Sequence, residues 1–226
     1  MVSNDSHGEA EWRKLIRSPN EDAGSGRVLA ICGPSGVGKT TVVAALATSY
    51  PAFIETTEGN PYLNGLMEGK SDFNATANQK WFLHRIGDYI THASPRSPLV
   101  LDQDPAAIVL SYSRMFHDDG KITEAQYATL LNQLLQIEKT LHGWKSPRTV
   151  LFLDAPADVL QRRFLKRQGK SSTPPLEWFD RTRNHFVQLF TRFPNAITIS
   201  TVQYSPEQII SRARKLVEDR TEETQA

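Results

Sequence analysis

The chain has 226 residues, of which 39% are hydrophobic and 23% are charged, values close to those of ordinary globular proteins. The 26 basic and 25 acidic residues leave a formal net charge of +1, which argues against nucleic-acid binding through bulk electrostatics because no basic excess is present. A single cysteine rules out an intramolecular disulfide, which fits a reducing compartment. No apolar run is long enough to span a bilayer. We therefore expect a cytoplasmic protein with neither a membrane nor a nucleic acid as partner.

The composition divides the chain into three parts. Residues 1–26 carry polar and charged groups throughout and predict a flexible or weakly helical arm. Residues 218–226 predict a polar C-terminal tail. Between them, residues 27–217 show no break in composition and predict a single domain.

From residue 27 onward, short apolar runs alternate with stretches of helical periodicity. The apolar runs predict strands at 27–32, 52–56, 98–102, 149–155 and 196–201. The periodic stretches predict helices at 40–50, 75–94, 105–116, 123–141, 156–168, 176–193 and 205–217. Thr123 and Gln126 form a capping-box pattern at the start of the fourth helix. Because each strand is almost wholly apolar, we expect a parallel sheet with helices on both faces.

A glycine-rich loop follows the first strand. Residues 33–40 read Gly-Pro-Ser-Gly-Val-Gly-Lys-Thr and match the pattern G-x-x-x-x-G-K-[ST] at every fixed position. Glycines let the backbone fold tightly around phosphate oxygens, and the following helix adds the positive end of its dipole. We expect Lys39 to reach the β- and γ-phosphates of ATP and the Thr40 hydroxyl to ligate Mg²⁺. The residues expected to contact the nucleotide are Gly33, Ser35, Gly36, Val37, Gly38, Lys39, Thr40 and Thr41.

The loop and the alternation of elements together predict an α/β, three-layer P-loop NTPase fold with a five-stranded parallel sheet flanked by helices. A P-loop alone does not say where the phosphate goes. The Asn-Lys-x-Asp motif with which GTPases read their base is absent, and so is the long apolar run ending in Asp-Glu that is typical of motor ATPases. The compact size and the helix-rich region between the second and third strands favour a small-molecule kinase.

Further residues lie in a recognisable order. They are Glu55 followed by Asn60-Pro61-Tyr62-Leu63, then Gln79, Phe82 and Leu83 on one helix, Asp102 at the end of the third strand, Phe116 with Gly120, Ile122 and Tyr127, and finally Arg163 and Arg167 after the strand TVLFLDA. In this order and spacing the chain resembles the deoxynucleoside kinases, especially their bacterial deoxyadenosine and deoxyguanosine kinase branch. The resemblance covers residues 28–217, nearly the whole predicted domain.

The resemblance implies an ATP- and Mg²⁺-dependent kinase that transfers the γ-phosphoryl to the hydroxyl of a (deoxy)nucleoside or a similar small molecule. Glu55 would orient and deprotonate the acceptor 5′-hydroxyl, and Lys39 would act on the phosphates from the P-loop. Gln79 would hydrogen-bond the nucleobase, and Asp102 would help hold Mg²⁺. Arg163 and Arg167 would form a lid that neutralises charge on the transferring phosphoryl. Tyr62, Arg85 and Gln103 complete the expected acceptor site, and related kinases suggest a homodimer through the helices at 75–94 and 123–141.

Three positions depart from the family pattern, all on the acceptor side. Gln103 stands where the family has an arginine after the strand-three carboxylate, Met67 stands where bacterial members often have a tyrosine, and Arg85 comes one residue early. Two alternatives therefore stay open. One is a nucleoside monophosphate kinase similar to thymidylate kinase, or a kinase of another metabolite. The other is a regulatory nucleotide-binding protein that has lost transfer activity, as the neutral Gln103 would allow.

Some of these side chains also have ordinary structural explanations. Glu58 is close enough to compete for the role of Glu55. Gln79 would also suit the exposed face of an amphipathic helix. Arg163 and Arg167 would also suit a solvated run of helix charges.

Overall fold

Five parallel strands form the centre of the domain. The computed structural model describes residues 10–13, 28–63, 74–94, 97–143, 148–168, 173–193 and 196–218. The strands are β1 (Val28–Cys32), β2 (Ala52–Phe53), β3 (Leu99–Asp102), β4 (Arg148–Asp154) and β5 (Ala196–Ser200). Their order across the sheet is β2-β3-β1-β4-β5. Because Ile31 of β1 pairs in parallel with Asp102 of β3, the glycine loop and this carboxylate meet at one edge of the sheet.

Helices cover both faces of the sheet. They are α1 (Lys39–Leu46), α2 (Ala75–His92), α3 (Pro105–Ala107), α4 (Arg114–Asp118), α5 (Glu124–Gly143), α6 (Ala157–Gln168), α7 (Leu176–Phe190) and α8 (Pro206–Glu218). A π-helix, Ile108–Ser113, joins α3 to α4. Among the described residues, no helix combines the length and the hydrophobicity needed to cross a membrane.

Alternate residues of each strand pack into two separate cores. In β1, Ala30 and Cys32 face the core formed with α2, α5 and α7. Leu29 and Ile31 face the other core, formed with α1, α6 and α8. Burial on both faces is the reason why the strands read as continuous apolar runs, and it confirms the predicted three-layer α/β architecture.

Helix starts follow the local signals in the sequence. The Thr123 backbone N–H donates to Gln126 Oε1 at 2.8 Å, and the Gln126 N–H donates back to Thr123 Oγ1 at 3.3 Å. This reciprocal pair is the predicted capping box. The Ser205 hydroxyl likewise accepts from the Gln208 N–H at 3.3 Å, ahead of α8.

Two elements differ from the prediction. Strand β2 has two residues where 52–56 was expected, because only Ala52 and Phe53 pair with β3 and Ile54 is already 39% exposed. The expected single helix at 105–116 contains the π-helix, in which the Ser113 hydroxyl donates to the Ile108 carbonyl at 2.8 Å. A π-helical stretch changes which side chains share a face, a change that is frequent at functional sites.

Part of the predicted flexible arm is packed on the domain. Residues 10–13 form a helical turn in which Trp12 is 3% exposed. Its ring centroid lies 5.9 Å from that of Phe193, and its Nε1 donates to Glu138 Oε1 at 3.3 Å. Burial of this large indole holds the turn in place. The remainder of the arm, 1–9 and 14–26, and residues 219–226 of the predicted tail lie outside the described residues.

Candidate active site

The glycine loop is held against β4 and α6. A Cβ placed on Gly33 would lie 2.4 Å from the Leu153 carbonyl oxygen, and one on Gly36 would lie 2.7 Å from that of Leu160. Side chains are thus excluded where the loop meets its neighbours, so its backbone can close around a phosphate. Helix α1 begins at Lys39, directly after the loop, and its N-terminus adds free N–H groups and a positive dipole end.

Lys39 is the cation at the centre of the loop. Its Nζ donates to the Gly33 carbonyl at 2.9 Å and to the Pro34 carbonyl at 3.5 Å. Burial acts to lower the pKa of Lys39, but the neighbouring Tyr112, Asp102 and Glu55 outweigh it and raise the pKa above the ordinary value. The ammonium therefore stays charged, as phosphate binding requires.

Asp102 and Thr40 lie side by side at the end of β3. The Thr40 hydroxyl donates to Asp102 Oδ2 at 2.8 Å, whereas the buried Oδ1 of Asp102 has no hydrogen-bond partner. Burial raises the pKa of Asp102, although Lys39 and Thr40 act to lower it. An orphaned carboxylate oxygen beside a hydroxyl fits Mg²⁺, which binds proteins through one or two carboxylates and takes other ligands from water and phosphate. The described residues contain no group of three or more His, Cys, Asp and Glu side chains suited to hold a metal.

A cleft with a cavity volume of about 110 Å³, partly open to solvent, lies next to the loop. Its walls are formed by Ser35, Glu55, Thr57, Leu63, Asn78, Gln79, Phe82, Ile108, Tyr112, Phe116, Phe164, Arg167, Gln168, Pro174 and Trp178. The cleft joins the P-loop at Ser35 to the segment after β2 at Glu55.

Glu55 is the carboxylate of this cleft. Burial raises its pKa to about 7, with Lys39 lowering it, Asp102 raising it and Arg167 lowering it. A carboxylate with this pKa can accept a proton near neutral pH, as a general base must. The competing Glu58 is exposed and is not among the residues that form the walls of the cleft, so the geometry favours Glu55.

The wall of the cleft also carries side-chain amides. Gln79 is 3% exposed and lines the cleft, so it does not lie on the exposed helix face that was its alternative explanation. Asn78 beside it accepts from Asn60 Nδ2 at 2.8 Å, which ties α2 to the loop that follows Glu55. Phe82 and Ile108 supply apolar wall next to these amides. The cleft wall therefore combines charged side chains, amides and apolar side chains.

Other predicted site residues lie elsewhere. Tyr62 is 39% exposed, and the Arg85 guanidinium lies 4.8 Å from the Trp81 ring centroid; neither side chain lines the cleft. Arg163 donates to Thr201 Oγ1 at 2.8 Å, to the Thr201 carbonyl at 3.0 Å and to the Val37 carbonyl at 3.4 Å. It thus holds the P-loop against the end of β5, while Arg167 alone of the two expected lid arginines lines the cleft.

Gln103 holds the P-loop instead of facing the cleft. It is 1% exposed and has a positive φ of 88°. Its Oε1 accepts from the Gly33 N–H at 3.4 Å, and its Nε2 donates to the Gly33 carbonyl at 3.3 Å. This placement corrects its expected role in the acceptor site, because both ends of the amide are already used by the loop.

Sequence reasoning missed Tyr112. Its hydroxyl lies 3.3 Å from Ser35 Oγ, and its ring packs edge-on against Phe186 at 5.2 Å between centroids. The sequence feature that could have pointed to Tyr112 is its position as an aromatic residue on the helix predicted directly after Asp102. Ile108, Tyr112 and Phe116, each four residues apart on this helical segment, all line the cleft.

Comparisons with known proteins agree with this geometry. The model of the deoxynucleoside kinase family matches residues 29–223. Among solved structures, deoxyadenosine kinase from M. mycoides with the products dCMP and a flexible dCDP has a TM-score of 0.64 at 15% identity, over 87% of this chain and 99% of that one. The same kinase with dCTP has a TM-score of 0.67 at 16% identity, and with dATP 0.65 at 18%, each over 84% of this chain and 98% of that one. These likenesses show a shared fold, and no curated protein matches the sequence.

Proposed function

Since the chain belongs to the deoxynucleoside kinase family, we propose that it transfers the γ-phosphoryl of ATP to the 5′-hydroxyl of a deoxynucleoside bound in the cleft beside Glu55. The observation that carries the proposal is the shared cleft, in which a carboxylate of pKa about 7 faces the P-loop. A monophosphate kinase would need an arginine on the acceptor phosphate, and its candidate, Arg85, packs on Trp81 outside the cleft.

In the proposed reaction, the 5′-hydroxyl oxygen attacks the γ-phosphorus while its proton passes to the Glu55 carboxylate. The bond between the γ-phosphorus and the β,γ-bridging oxygen breaks, and ADP leaves with that electron pair. The products are ADP and the nucleoside 5′-monophosphate. Catalysis depends on positioning and charge neutralisation, since phosphoryl transfer needs little covalent help. Lys39 and Arg167, which both interact electrostatically with Glu55, would supply positive charge to the transferring group.

Thr40 and Asp102 would hold Mg²⁺, which would neutralise charge on the triphosphate. Support comes from the orphaned Oδ1 of Asp102 and from its contact with the Thr40 hydroxyl. Arg163 could contact the transferring phosphoryl only if its hydrogen bonds to Thr201 broke. In the present arrangement it is a positioning residue that holds the P-loop.

Gln79 would read the nucleobase. An amide donates and accepts at once, and Gln79 presents one in an apolar part of the cleft. Its burial at 3% exposure means that a base which pairs with it would exclude water from the contact. Deoxyadenosine and deoxycytidine are the first acceptors to test, because the M. mycoides structures carry adenine and cytosine nucleotides.

The test measures ADP release with ATP and Mg²⁺ against a panel of deoxynucleosides, ribonucleosides and nucleoside monophosphates. We expect turnover that depends on a deoxynucleoside, and its loss in Lys39→Ala, because this variant lacks the cation of the P-loop. Turnover on monophosphates only, or ATP binding without turnover on any acceptor, would overturn the proposal. An exposed-lysine variant, Lys80→Ala on α2, is the matched control and should keep wild-type turnover.

A homodimer through α2 and α5 stays a prediction. Both helices turn their buried apolar residues inward, with Leu83 and Leu134 among them. Their exposed positions are mostly polar, as at His84 and Gln133. A dimer on this surface would therefore be held by polar contacts.

A cytoplasmic site of action also remains an expectation.

A further inference from the structure

The acceptor end of the site lacks a donor that the family pattern provides. Gln103 replaces the expected arginine, and both ends of its amide are bound to Gly33. With 1% of its surface exposed, it is not among the residues that line the cleft. A transition state that spreads negative charge over three phosphoryl oxygens is stabilised by donors aimed at them, and the side chains of the cleft wall are the candidates for this role.

Two hydroxyls meet where the P-loop borders the cleft. Tyr112 Oη and Ser35 Oγ are 3.3 Å apart, and both residues form part of the cleft wall together with Glu55. Ser35 is the third residue of the P-loop, and Tyr112 also interacts electrostatically with Lys39 and Glu55. The pair thus lies between the loop that binds the donor phosphates and the carboxylate that faces the acceptor.

We propose that the Tyr112 hydroxyl, oriented by Ser35, donates a hydrogen bond to the transferring phosphoryl group and so acts as a catalytic residue in place of the family arginine. This inference rests on the proposed kinase function and adds a residue that the family pattern does not provide.

The chemistry of the pair suits this role. Two hydroxyls carry two protons, and their mutual hydrogen bond uses one, which leaves the other for a phosphoryl oxygen. Burial raises the pKa of Tyr112, against the lowering effect of Lys39, so the phenol keeps its proton at neutral pH. The edge-on contact with Phe186, with ring planes at 79°, fixes the ring. A preorganised neutral donor of this kind needs no reorientation during the reaction.

The test compares Tyr112→Phe with the wild type in steady-state kinetics, together with equilibrium binding of ATP. The substitution keeps the ring and removes only the hydroxyl. We expect kcat to fall on the order of 10²- to 10³-fold, the range in which single transition-state donors act. The acceptor KM and the ATP Kd should change by less than about threefold, because the bond forms only in the transition state. Ser35→Ala should lower kcat in the same way. The kcat of the double variant should be no lower than that of the less active single variant, since the two hydroxyls act as one unit.

Tyr50→Phe is the matched control, because it removes a tyrosine hydroxyl whose bond to Glu218 Oε1, at 3.0 Å, lies beyond the end of α1. A kcat of Tyr112→Phe within twofold of the wild type would overturn the inference. A raised acceptor KM with unchanged kcat would also overturn it, since Tyr112 would then be a wall of the cleft only. If the wild type itself turns over no nucleoside, the proposed function fails, and this inference fails with it. If the wild type is active but Tyr112→Phe keeps its kcat, only this inference fails, so one assay distinguishes the two outcomes.

Discussion

The rate of phosphoryl transfer should depend on pH through Glu55. Its pKa of about 7 means that roughly one-tenth of the free enzyme carries the ionised carboxylate at pH 6 and roughly nine-tenths at pH 8. Because the ionised form is the base, kcat/KM should rise about tenfold over this range and level off above it. A glutamate with an ordinary pKa would be almost fully ionised throughout, and the profile would be flat.

The assay measures kcat/KM for the deoxynucleoside at subsaturating ATP, since the free enzyme is then the reference state. ATP binding is measured over the same pH range, so that ionisation of the nucleotide is separated from that of the enzyme. Glu55→Gln is the matched variant. It removes the base and keeps the shape, and we expect a loss of about 10²- to 10⁴-fold in kcat with ATP binding largely intact.

The residual activity of Glu55→Gln should show no rise between pH 6 and pH 8. If the variant keeps the tenfold rise, another group titrates and Glu55 is not the base. If the wild-type profile is flat, the burial that raises the pKa of Glu55 is absent in the working enzyme, and the argument from the cleft fails.

Three further predictions concern other parts of the structure. Asp102→Asn should raise the Mg²⁺ concentration for half-maximal rate about tenfold or more, because a carboxylate that fits the metal is lost; an Mg²⁺ titration of the rate measures this. Gln79→Leu should raise the acceptor KM on the order of tenfold with the ATP KM unchanged, because one buried amide contact to the base is removed. Trp12→Ala should lower the free energy of unfolding by about 3–5 kcal/mol in urea, because it empties a buried site and removes a hydrogen bond to Glu138.

Each of these predictions has a contradicting result, and the last two also have a matched control. An unchanged Mg²⁺ dependence of the rate in Asp102→Asn would show that Asp102 is not a ligand of the metal. Gln133→Leu, an exposed amide on α5, should leave the acceptor KM unchanged, and equal KM values for wild type and Gln79→Leu would remove Gln79 from base recognition. Glu11→Ala breaks only an exposed 3.9 Å ion pair with Lys139 and should change stability by less than about 1 kcal/mol. A similarly small effect of Trp12→Ala would show that the N-terminal turn is not anchored.

Features defined by neighbouring residues could be predicted from the sequence. The glycine spacing of residues 33–40 is local, and it predicted a loop whose close contacts with Leu153 and Leu160 exclude side chains. The capping box at Thr123 and Gln126 is also local, and it forms as predicted. The three central strands, β3, β1 and β4, follow from short apolar runs, because a strand buried on both faces is apolar at almost every position.

The direction of single side chains depended on contacts between distant segments. Gln103 was expected in the acceptor site, but its backbone turns at φ 88° and its amide binds Gly33, which is 70 residues away in the chain. Arg163 pairs with Thr201 across 38 residues, and Tyr112 meets Ser35 across 77. Periodicity places such residues on a helix or at a strand end without saying which neighbour they meet.

The sequence by itself thus determined the phosphate loop and the parallel sheet, because both are encoded by residues that are adjacent or regularly spaced in the chain. Only the tertiary structure decided which side chains form the acceptor cleft. That outcome depends on how α2, the π-helix and α6 pack around the edge of the sheet, and packing between segments far apart in sequence leaves no local pattern to read.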